Sequence, residues 1–272
     1  MEAILKDLQP TRLTIAIEQN LYSWIPTMGK VWESRDNDPP GVKRCISDVP
    51  VLLFNSIMDA VLEADEVEPT IQYLMADAES RQVPILWWVG PSTRPAELPD
   101  YLKMHGFTVD EDGPGMAVIL SDLNENLPVP DNFKVRLVQD NASQWEWCQT
   151  MAAGFGVPAE RKEFAVKSWF QLISQLDPNT SMAYTGFLDE KPVATSLLQL
   201  GGGVAGIYAV ATIPEARRKG IGAQVTLYPL LQARAMGYKA GVLEASEMGY
   251  PVYRALGFQE YCRITSYAWR PK

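Results

Sequence analysis

Val210-Ala211-Thr212-Ile213-Pro214-Glu215-Ala216-Arg217-Arg218-Lys219-Gly220-Ile221-Gly222 is the stretch from which the rest of the chain can be read. An apolar run meets Pro214, a short basic turn follows, and Gly220 and Gly222 flank the residue at which a helical pattern begins. Glycine lets the backbone turn and lets a ligand approach where a Cβ would intrude, so successive N–H groups can face an anion. The first N–H groups of a helix have no partner within it, and the helix dipole favours a negative charge there by about 0.3–1 kcal/mol. Arg217, Arg218 and Lys219 add full positive charge. The pattern reads as a phosphate cradle; the plainer reading is a basic turn that merely opens a helix. A Walker loop would end in Gly-Lys-Ser/Thr, and a dinucleotide fingerprint would run Gly-x-Gly-x-x-Gly with an acidic residue about 20 positions on. Neither is present, and the spacing here is Arg-x-x-Gly-x-Gly.

The 272 residues exceed the usual single-domain span of about 100–200, so two domains are expected. A hydrophobic share of 47% against 21% charged gives a globular chain with material for real cores. The net charge of -9 argues against a nucleic-acid or anionic-membrane surface and favours amine-bearing partners. Cys45, Cys148 and Cys262 stand far apart without Cys-x-x-Cys spacing, and His105 is the one histidine, which argues against a disulfide scaffold and a zinc site. Glu2, Lys6, Asp7, Arg12 and Glu18 interrupt the first apolar residues, and no apolar run approaches the ~20 residues of a membrane span. The expected location is the cytoplasm.

Outward from the turn, residues 204–212 form a strand and 220–236 a helix with Ile221, Val225, Tyr228 and Leu231 inward. Pro229 inside that helix removes a hydrogen bond and predicts a kink. A strand at 239–245, a short helix at 249–256 capped by Gly257, and a long strand at 258–269 follow. Upstream come a strand at 133–138, a helix at 142–153 closed by Gly154-Phe155-Gly156, and a helix at 160–175. Strands at 182–188 and 192–200 flank Asp189-Glu190-Lys191 as a hairpin. The N-terminal half reads as one or two helices over 2–25 and a loop over 32–43 containing Asp36-Asn37-Asp38-Pro39-Pro40-Gly41. A buried strand at 50–55, a helix at 67–78, a strand at 84–90, a helix at 96–105 and a strand at 116–120 complete it. Residues 121–130 are polar and proline-bearing, the composition of a linker. The expectation is an α/β fold, a mixed sheet with helices on both faces, divided as 1–124, a linker at 125–132, and 133–272.

The turn is followed, after a helix and a strand, by Ser246-Glu247-Met248-Gly249-Tyr250-Pro251-Val252-Tyr253-Arg254-Ala255-Leu256-Gly257-Phe258. Together these resemble the GNAT superfamily of acyl-CoA-dependent N-acyltransferases over about residues 133–270. The likeness rests on Arg-x-x-Gly-x-Gly, on the later Tyr-x-x-x-Gly-Phe, and on the order of elements between them. It implies the acyl-CoA N-acyltransferase fold, with a central, largely antiparallel mixed sheet, and acetyl-CoA as donor. It implies that backbone N–H groups of Arg217, Arg218, Lys219, Gly220, Ile221, Gly222 and Ala223 hold the coenzyme's pyrophosphate. Val210, Ala211 and Thr212 would lie along the pantetheine arm, Val210 and Thr212 bonding it through the backbone as a neighbouring strand would. Ser246 stands where many members carry an asparagine that touches the coenzyme.

In the same family context Tyr253 would face the thioester sulfur, where a hydroxyl can protonate the leaving thiolate; its other reading is a tyrosine whose ring is core. An alkylammonium with a pKa near 10.4 is less than about 0.1% neutral at pH 7, a deficit of roughly 4–5 kcal/mol, so a base or a water chain is needed. Family members often place a glutamate on the strand before the turn, but Val204-Ala205-Gly206-Ile207-Tyr208-Ala209 has none. Glu244, at the end of the next strand, is the candidate, and also reads as a solvated strand end. Phe155 and Tyr208, with Trp87 or Trp88, would line an acceptor site between the domains. Residues 85–120 repeat the strand-helix-strand pattern of 242–269, with Tyr101-Leu102-Lys103-Met104-His105-Gly106-Phe107 opposite Tyr253 to Phe258. The N-terminal half is then a degenerate second copy without a coenzyme turn, or an ordinary strand-helix-strand unit. The leading function is transfer of an acetyl group to a primary amine of a small molecule, by a monomer or homodimer with no nucleic-acid or membrane partner. A protein or peptide amine as acceptor, and an acyl-CoA sensor without turnover, are the other readings.

Overall fold

The computed structural model describes residues 2–32 and 39–271; the Asp36-Asn37-Asp38 part of the expected loop lies outside them. The elements are α1 (Pro10–Tyr22), α2 (Trp24–Trp32), β1 (Lys43–Ile46), β2 (Asn55–Met58), α3 (Val67–Ser80), β3 (Ile85–Val89), α4 (Leu98–Met104) and β4 (Thr108–Ile119). There follow β5 (Phe133–Leu137), α5 (Asn141–Gly154), α6 (Ala159–Ile173), β6 (Ser181–Leu188), β7 (Lys191–Gly201) and β8 (Val204–Thr212). The chain closes with α7 (Ile221–Ala235), β9 (Ala240–Glu244), α8 (Tyr250–Leu256) and β10 (Gln259–Trp269).

The apolar run at 50–55 is not the strand expected of it. Leu52–Phe54 is a short 3-10 turn and pairing begins only at Asn55. The Asn55 side chain donates to the carbonyls of Val49 and Val51, both at 2.9 Å, and accepts the Ser47 N–H at 2.8 Å, which closes a loop where a strand would otherwise extend. The β6–β7 hairpin is tighter than its sequence suggests. Asp189 and Glu190 alone form the turn, with φ of 50° and 59°, and Lys191 already pairs with Leu188.

Two compact units interleave along the chain instead of meeting at residues 125–132. One takes in residues 1–20 and 115–261, the other 21–114 and 262–272. In the first, the strand order is β4-β9-β8-β7-β6-β5, antiparallel except for the parallel pair β8–β9. Only the end of β4 enters this sheet, with Gly115 opposite Glu244 and Ile119 opposite Ala240. In the second unit the order is β1-β2-β3-β10, antiparallel except for β2–β3, and β10 enters through residues 265–269 opposite β3. The strand that follows α4 thus completes the first unit's sheet, and the strand that follows α8 completes the second's.

In the first unit, Leu227, Leu230 and Ala233 of α7 and Tyr253 and Leu256 of α8 share one buried cluster with Ala205 and Ile207 of β8 and Leu243 of β9. Trp147 of α5 is fully buried, and its indole N–H is shared by the carbonyls of Tyr184 and Ser196, at 3.1 and 3.2 Å, which ties α5 across β6 and β7. The inner face of α7 departs from the expected stripe: Leu227 and Leu230 are buried, while Tyr228 is 38% exposed, its ring edge-on to Tyr184. Pro229 has no N–H for the carbonyl four residues back, that of Val225. The Ser196 hydroxyl, reaching from β7, donates to that carbonyl at 2.6 Å, so the acceptor left by the proline is met from the sheet. Ser196→Ala strands a buried carbonyl and is expected to cost about 1–3 kcal/mol in denaturant unfolding. In a Pro229→Ala background, where a helical N–H is restored, the same change is expected to cost much less; equal costs in both backgrounds would refute this account.

Candidate functional site

The site is built on β8. Its pairing with β7 slips by one residue: Thr195 faces Ala211, but Leu197 faces Tyr208. β8 therefore carries an extra residue, with Ala209 at a φ of 48°, and the Thr195 hydroxyl donates to the Ala209 carbonyl at 2.9 Å. Such a bulge bends and twists its strand. On the other edge, the parallel pairing with β9 covers only Ala205 opposite Gly241 and Gly206 opposite Val242, although the strands run on to Thr212 and Glu244. Beyond Gly206 the two diverge, and the backbone of residues 207–212, which includes Val210, Ala211 and Thr212, forms one side of a wedge.

At the end of the wedge the basic turn is held from inside by Arg217. Its Nε donates to the Thr212 carbonyl at 3.0 Å and its guanidinium to the Gly154 carbonyl at 2.8 Å, while its own N–H goes to Pro214. Arg217 is thus a brace between β8 and the end of α5, not one of the open donors expected of it. Arg218, at a φ of 62°, and Gly220, at 76°, swing the backbone round. Among the described residues, the N–H groups of residues 218–223 donate to no protein acceptor; hydrogen bonding resumes with Gln224 to the Gly220 carbonyl at 3.2 Å. They sit at the head of the 15-residue α7, with the exposed side chains of Arg218 and Lys219 beside them. That is an anion nest reinforced by a helix dipole. Gly220 is required twice over, for its φ and because a Cβ would come within 1.9 Å of the Pro128 carbonyl oxygen. Gly222 is different: the nearest atom to a Cβ there is Thr212 Oγ1 at 3.7 Å, so the space before it is open.

Two faces flank the wedge. Leu243 and Ala245 point into the cluster with α7 and α8, so Glu244 lies on the opposite face; on β8, Ala205 and Ile207 point into that cluster, so Gly206 and Tyr208 lie opposite. Extending the Gly206–Val242 pairing by two residues brings Tyr208 level with Glu244 across the divergence. Both are half-buried. Tyr253, on the α7–α8 side, is 7% exposed with its ring against Phe258 at 6.0 Å, and burial pushes its phenol up to about 12. It therefore stays protonated at neutral pH. Ser246 is exposed; its hydroxyl accepts the Gly249 N–H at 3.2 Å and its carbonyl the Tyr250 N–H at 2.9 Å, so it starts α8. Phe155 is 58% exposed just past α5, whose Gly154 is pressed so close to β8 that a Cβ would meet that of Ala211 at 2.7 Å.

Trp87 and Trp88 have other work. Trp87 is fully buried, opposite Tyr267 and edge-on to Phe107 at 6.2 Å, and a ring so enclosed reaches no acceptor. The Trp88 indole N–H goes to Ser56 Oγ at 3.3 Å. Sequence reasoning missed Asn20, which is fully buried and whose Oδ1 accepts the Tyr208 hydroxyl at 2.8 Å. The signal was present: Leu13, Ile17 and Asn20 fall at steps of four and three on one helical face, and a polar residue on that stripe asks for a partner.

Residues 141–258, from the start of α5 through the turn to Phe258, match the model of the acetyltransferase (GNAT) family. Residues 141–258 thus carry a GNAT domain. The chain's fold is similar to that of a GCN5-related N-acetyltransferase from Kribbella flavida, with 20% identity, 92% of this chain and 95% of that one covered, and a TM-score of 0.67. A GCN5-related N-acetyltransferase from Sphaerobacter thermophilus gives 18%, 80%, 73% and 0.57, and a tandem GNAT protein from the clavulanic acid biosynthesis pathway 13%, 82%, 76% and 0.56. At these identities the likeness is one of fold. Among curated proteins, none matches the sequence significantly.

GNAT enzymes are acyltransferases that draw on an acyl-CoA donor. The residues present fit such a group, since the six open N–H groups suit a pyrophosphate and the free edge of β8 suits an amide-bearing arm. Gly222→Val, which fills the open space, is expected to weaken coenzyme A binding at least about tenfold in calorimetry while leaving thermal stability nearly unchanged. Gly220→Ala, forced into the left-handed region, is expected to lower stability itself, by about 1–2 kcal/mol or more. The reverse pattern would contradict the assignment of the two glycines.

Burial pushes Cys148, Tyr184 and Tyr253 all up to about 12. The unfolded chain would release these protons from about pH 9–10 upward while the folded chain keeps them. Stability is therefore expected to fall as pH rises from 9 towards 12, with the absorbance rise at 295 nm of these two tyrosines tracking unfolding. A denaturation midpoint that stays flat over that range would refute it.

Proposed function

We propose that the protein moves an acetyl group from acetyl-CoA to the primary amine of a small molecule, with Tyr253 as general acid and Glu244 as general base. The observation that carries the reading is the run of open N–H groups at residues 218–223 beside the unpaired edge of β8. The bound donor supplies an activated acyl carbonyl and a thiol leaving group. Arg218, Lys219, Gly220, Ile221, Gly222 and Ala223 hold its pyrophosphate through the backbone, and Val210 and Thr212 hydrogen-bond its arm. Ser246, engaged in starting α8, is left with at most a backbone role. Phe155 and Tyr208 line the acceptor side. Glu244 accepts a proton from the ammonium, directly or through water, and Tyr253 keeps a proton at its phenol oxygen for the sulfur. The net charge of -9 supports an amine-bearing acceptor.

The N-terminal half is read here as a degenerate second copy. β2-α3-β3-α4-β4 repeats the order of β8-α7-β9-α8-β10, and in each set the first two strands are parallel. Residues 1–124 and 133–272 are then two copies in sequence that have exchanged their last strands. The copy has no coenzyme turn: Glu63, Asp65, Glu66 and Glu68 stand at the start of α3, where α7 has Arg218 and Lys219, and would repel a phosphate. We place the protein in the cytoplasm, where its three cysteines, joined by no disulfide, stay reduced.

Calorimetry with acetyl-CoA, followed by thiol release against a panel of primary amines, tests the reading. Binding with release on one amine class is expected. Tyr253→Phe is expected to lower kcat about 10²–10⁴-fold with acetyl-CoA affinity unchanged, and Glu244→Gln to lower kcat/KM with loss of the acidic limb of the pH profile. Binding without release on any amine would replace the enzyme by a sensor, and absence of binding would remove the coenzyme site.

A further inference from the structure

Residues 2–5 lie along the hairpin that joins β7 to β8. The Leu5 N–H donates to the Gly203 carbonyl at 2.9 Å, and the Gly202 N–H donates to the Glu2 carboxylate. Gly203, at a φ of 73°, permits this approach: a Cβ there would lie 2.7 Å from the Ala3 carbonyl oxygen. Ile4 is thereby laid against the main cluster of the first unit. Beside it opens a cavity of about 520 Å³, a volume in the range of small-molecule sites. Met182 of β6, Leu200 of β7, Ile4 and Pro178 give it apolar walls, and the largely buried Tyr238, just past α7, adds its ring. All of these residues belong to the first unit.

The cavity is at the far end of α7 from the anion nest. α7 has 15 residues, so its two ends are roughly 22 Å apart, and an occupant here does not share the nest. Of the eight residues that line the cavity, Glu2 alone is charged. A carboxylate accepts through two oxygens, so the bond from Gly202 leaves capacity for an ammonium. Among the described residues Glu2 makes no ion pair. Burial, and then the Glu2 carboxylate, hold the Tyr238 phenol above its ordinary range, so the negative charge is felt at the cavity wall. Met236, which caps α7 and also lines the cavity, brings the negative end of the helix dipole to the same place. Apolar walls with one exposed carboxylate complement an apolar body that carries a positive charge and disfavour one that carries a negative charge. We propose that this cavity is a second ligand site, separate from the anion nest, for a small molecule with an ammonium group on an apolar body, the body against Ile4, Met182 and Leu200 and the ammonium at Glu2. The site is independent of acetyl transfer.

Two methionines in the lining make the test local. Full-length protein carrying [13Cε]methionine, with the Met182 and Met236 methyl signals identified by their loss in Met182→Leu and Met236→Leu, is titrated at pH 7 with 2-phenylethylamine and, separately, with 3-phenylpropionate. Both signals are expected to move with the amine at concentrations at least about tenfold lower than with the carboxylate. Glu2→Gln keeps an oxygen that can accept from Gly202 but removes the charge, and the preference is expected to shrink to within about threefold. Failure of both methyls to respond to the amine, equal responses to the two probes in the native chain, or an unchanged preference in Glu2→Gln overturns the proposal. The readout uses neither coenzyme A nor thiol release, so a chain that fails to bind acetyl-CoA but shows this preference would keep the second site and lose the enzymatic reading.

Discussion

The extra residue in β8 governs the first unit. With Ala209 in the left-handed region and its carbonyl taken by Thr195, β8 stays joined to β7 but leaves β9 after two paired residues. A β-strand whose edge is unpaired is a template for another extended backbone, which is what an amide-bearing arm provides. The turn that follows is fastened to the same strand by Arg217, which also holds the end of α5. Bulge, open edge and anion nest are therefore joined in one construction, and Phe155 and Tyr208 adjoin it.

Polar groups buried by this construction are met by side chains from other elements. Ser196 supplies the Val225 carbonyl that Pro229 leaves without a partner, Trp147 bridges two carbonyls across β6 and β7, and Asn20 gathers three carbonyls of the β7–β8 hairpin. An unmet buried carbonyl costs about 1–3 kcal/mol, a large fraction of the roughly 5–15 kcal/mol by which domains are stable. These contacts fix the shape of the sheet as firmly as its apolar cluster does. They also set proton directions, which an apolar core cannot do.

β4 closes the first sheet beside β9, and β10 closes the second beside β3, so neither sheet is complete without a strand that follows the other half's last helix. Residues 121–130 read as a linker by composition, yet Pro128 packs over Gly220 and Gln224 donates to the Leu127 carbonyl at 3.1 Å. A polar, proline-bearing stretch separates elements along the sequence without separating them in space.

The sequence by itself determined the helices and strands with strong periodicity, the basic turn with its two glycines, the short helix bearing Tyr253, and through these the likeness of residues 141–258 to the GNAT family. Those signals are local: apolar spacing, glycine conformational freedom and charge act within a few residues of one another. What only the tertiary structure decided depends on residues far apart in the chain. The bulge at Ala209 has no glycine to announce it and exists because Thr195 and the pairing with β7 hold it. The inward turn of Arg217, the displacement of Tyr228 from the inner face of α7, and the meeting of Asn20 with Tyr208 are likewise settled by partners that periodicity cannot see. The pairing of β4 with β9 and of β10 with β3 is the largest such case, since a strand's sequence states that it will pair, while the choice of partner belongs to the packing around it.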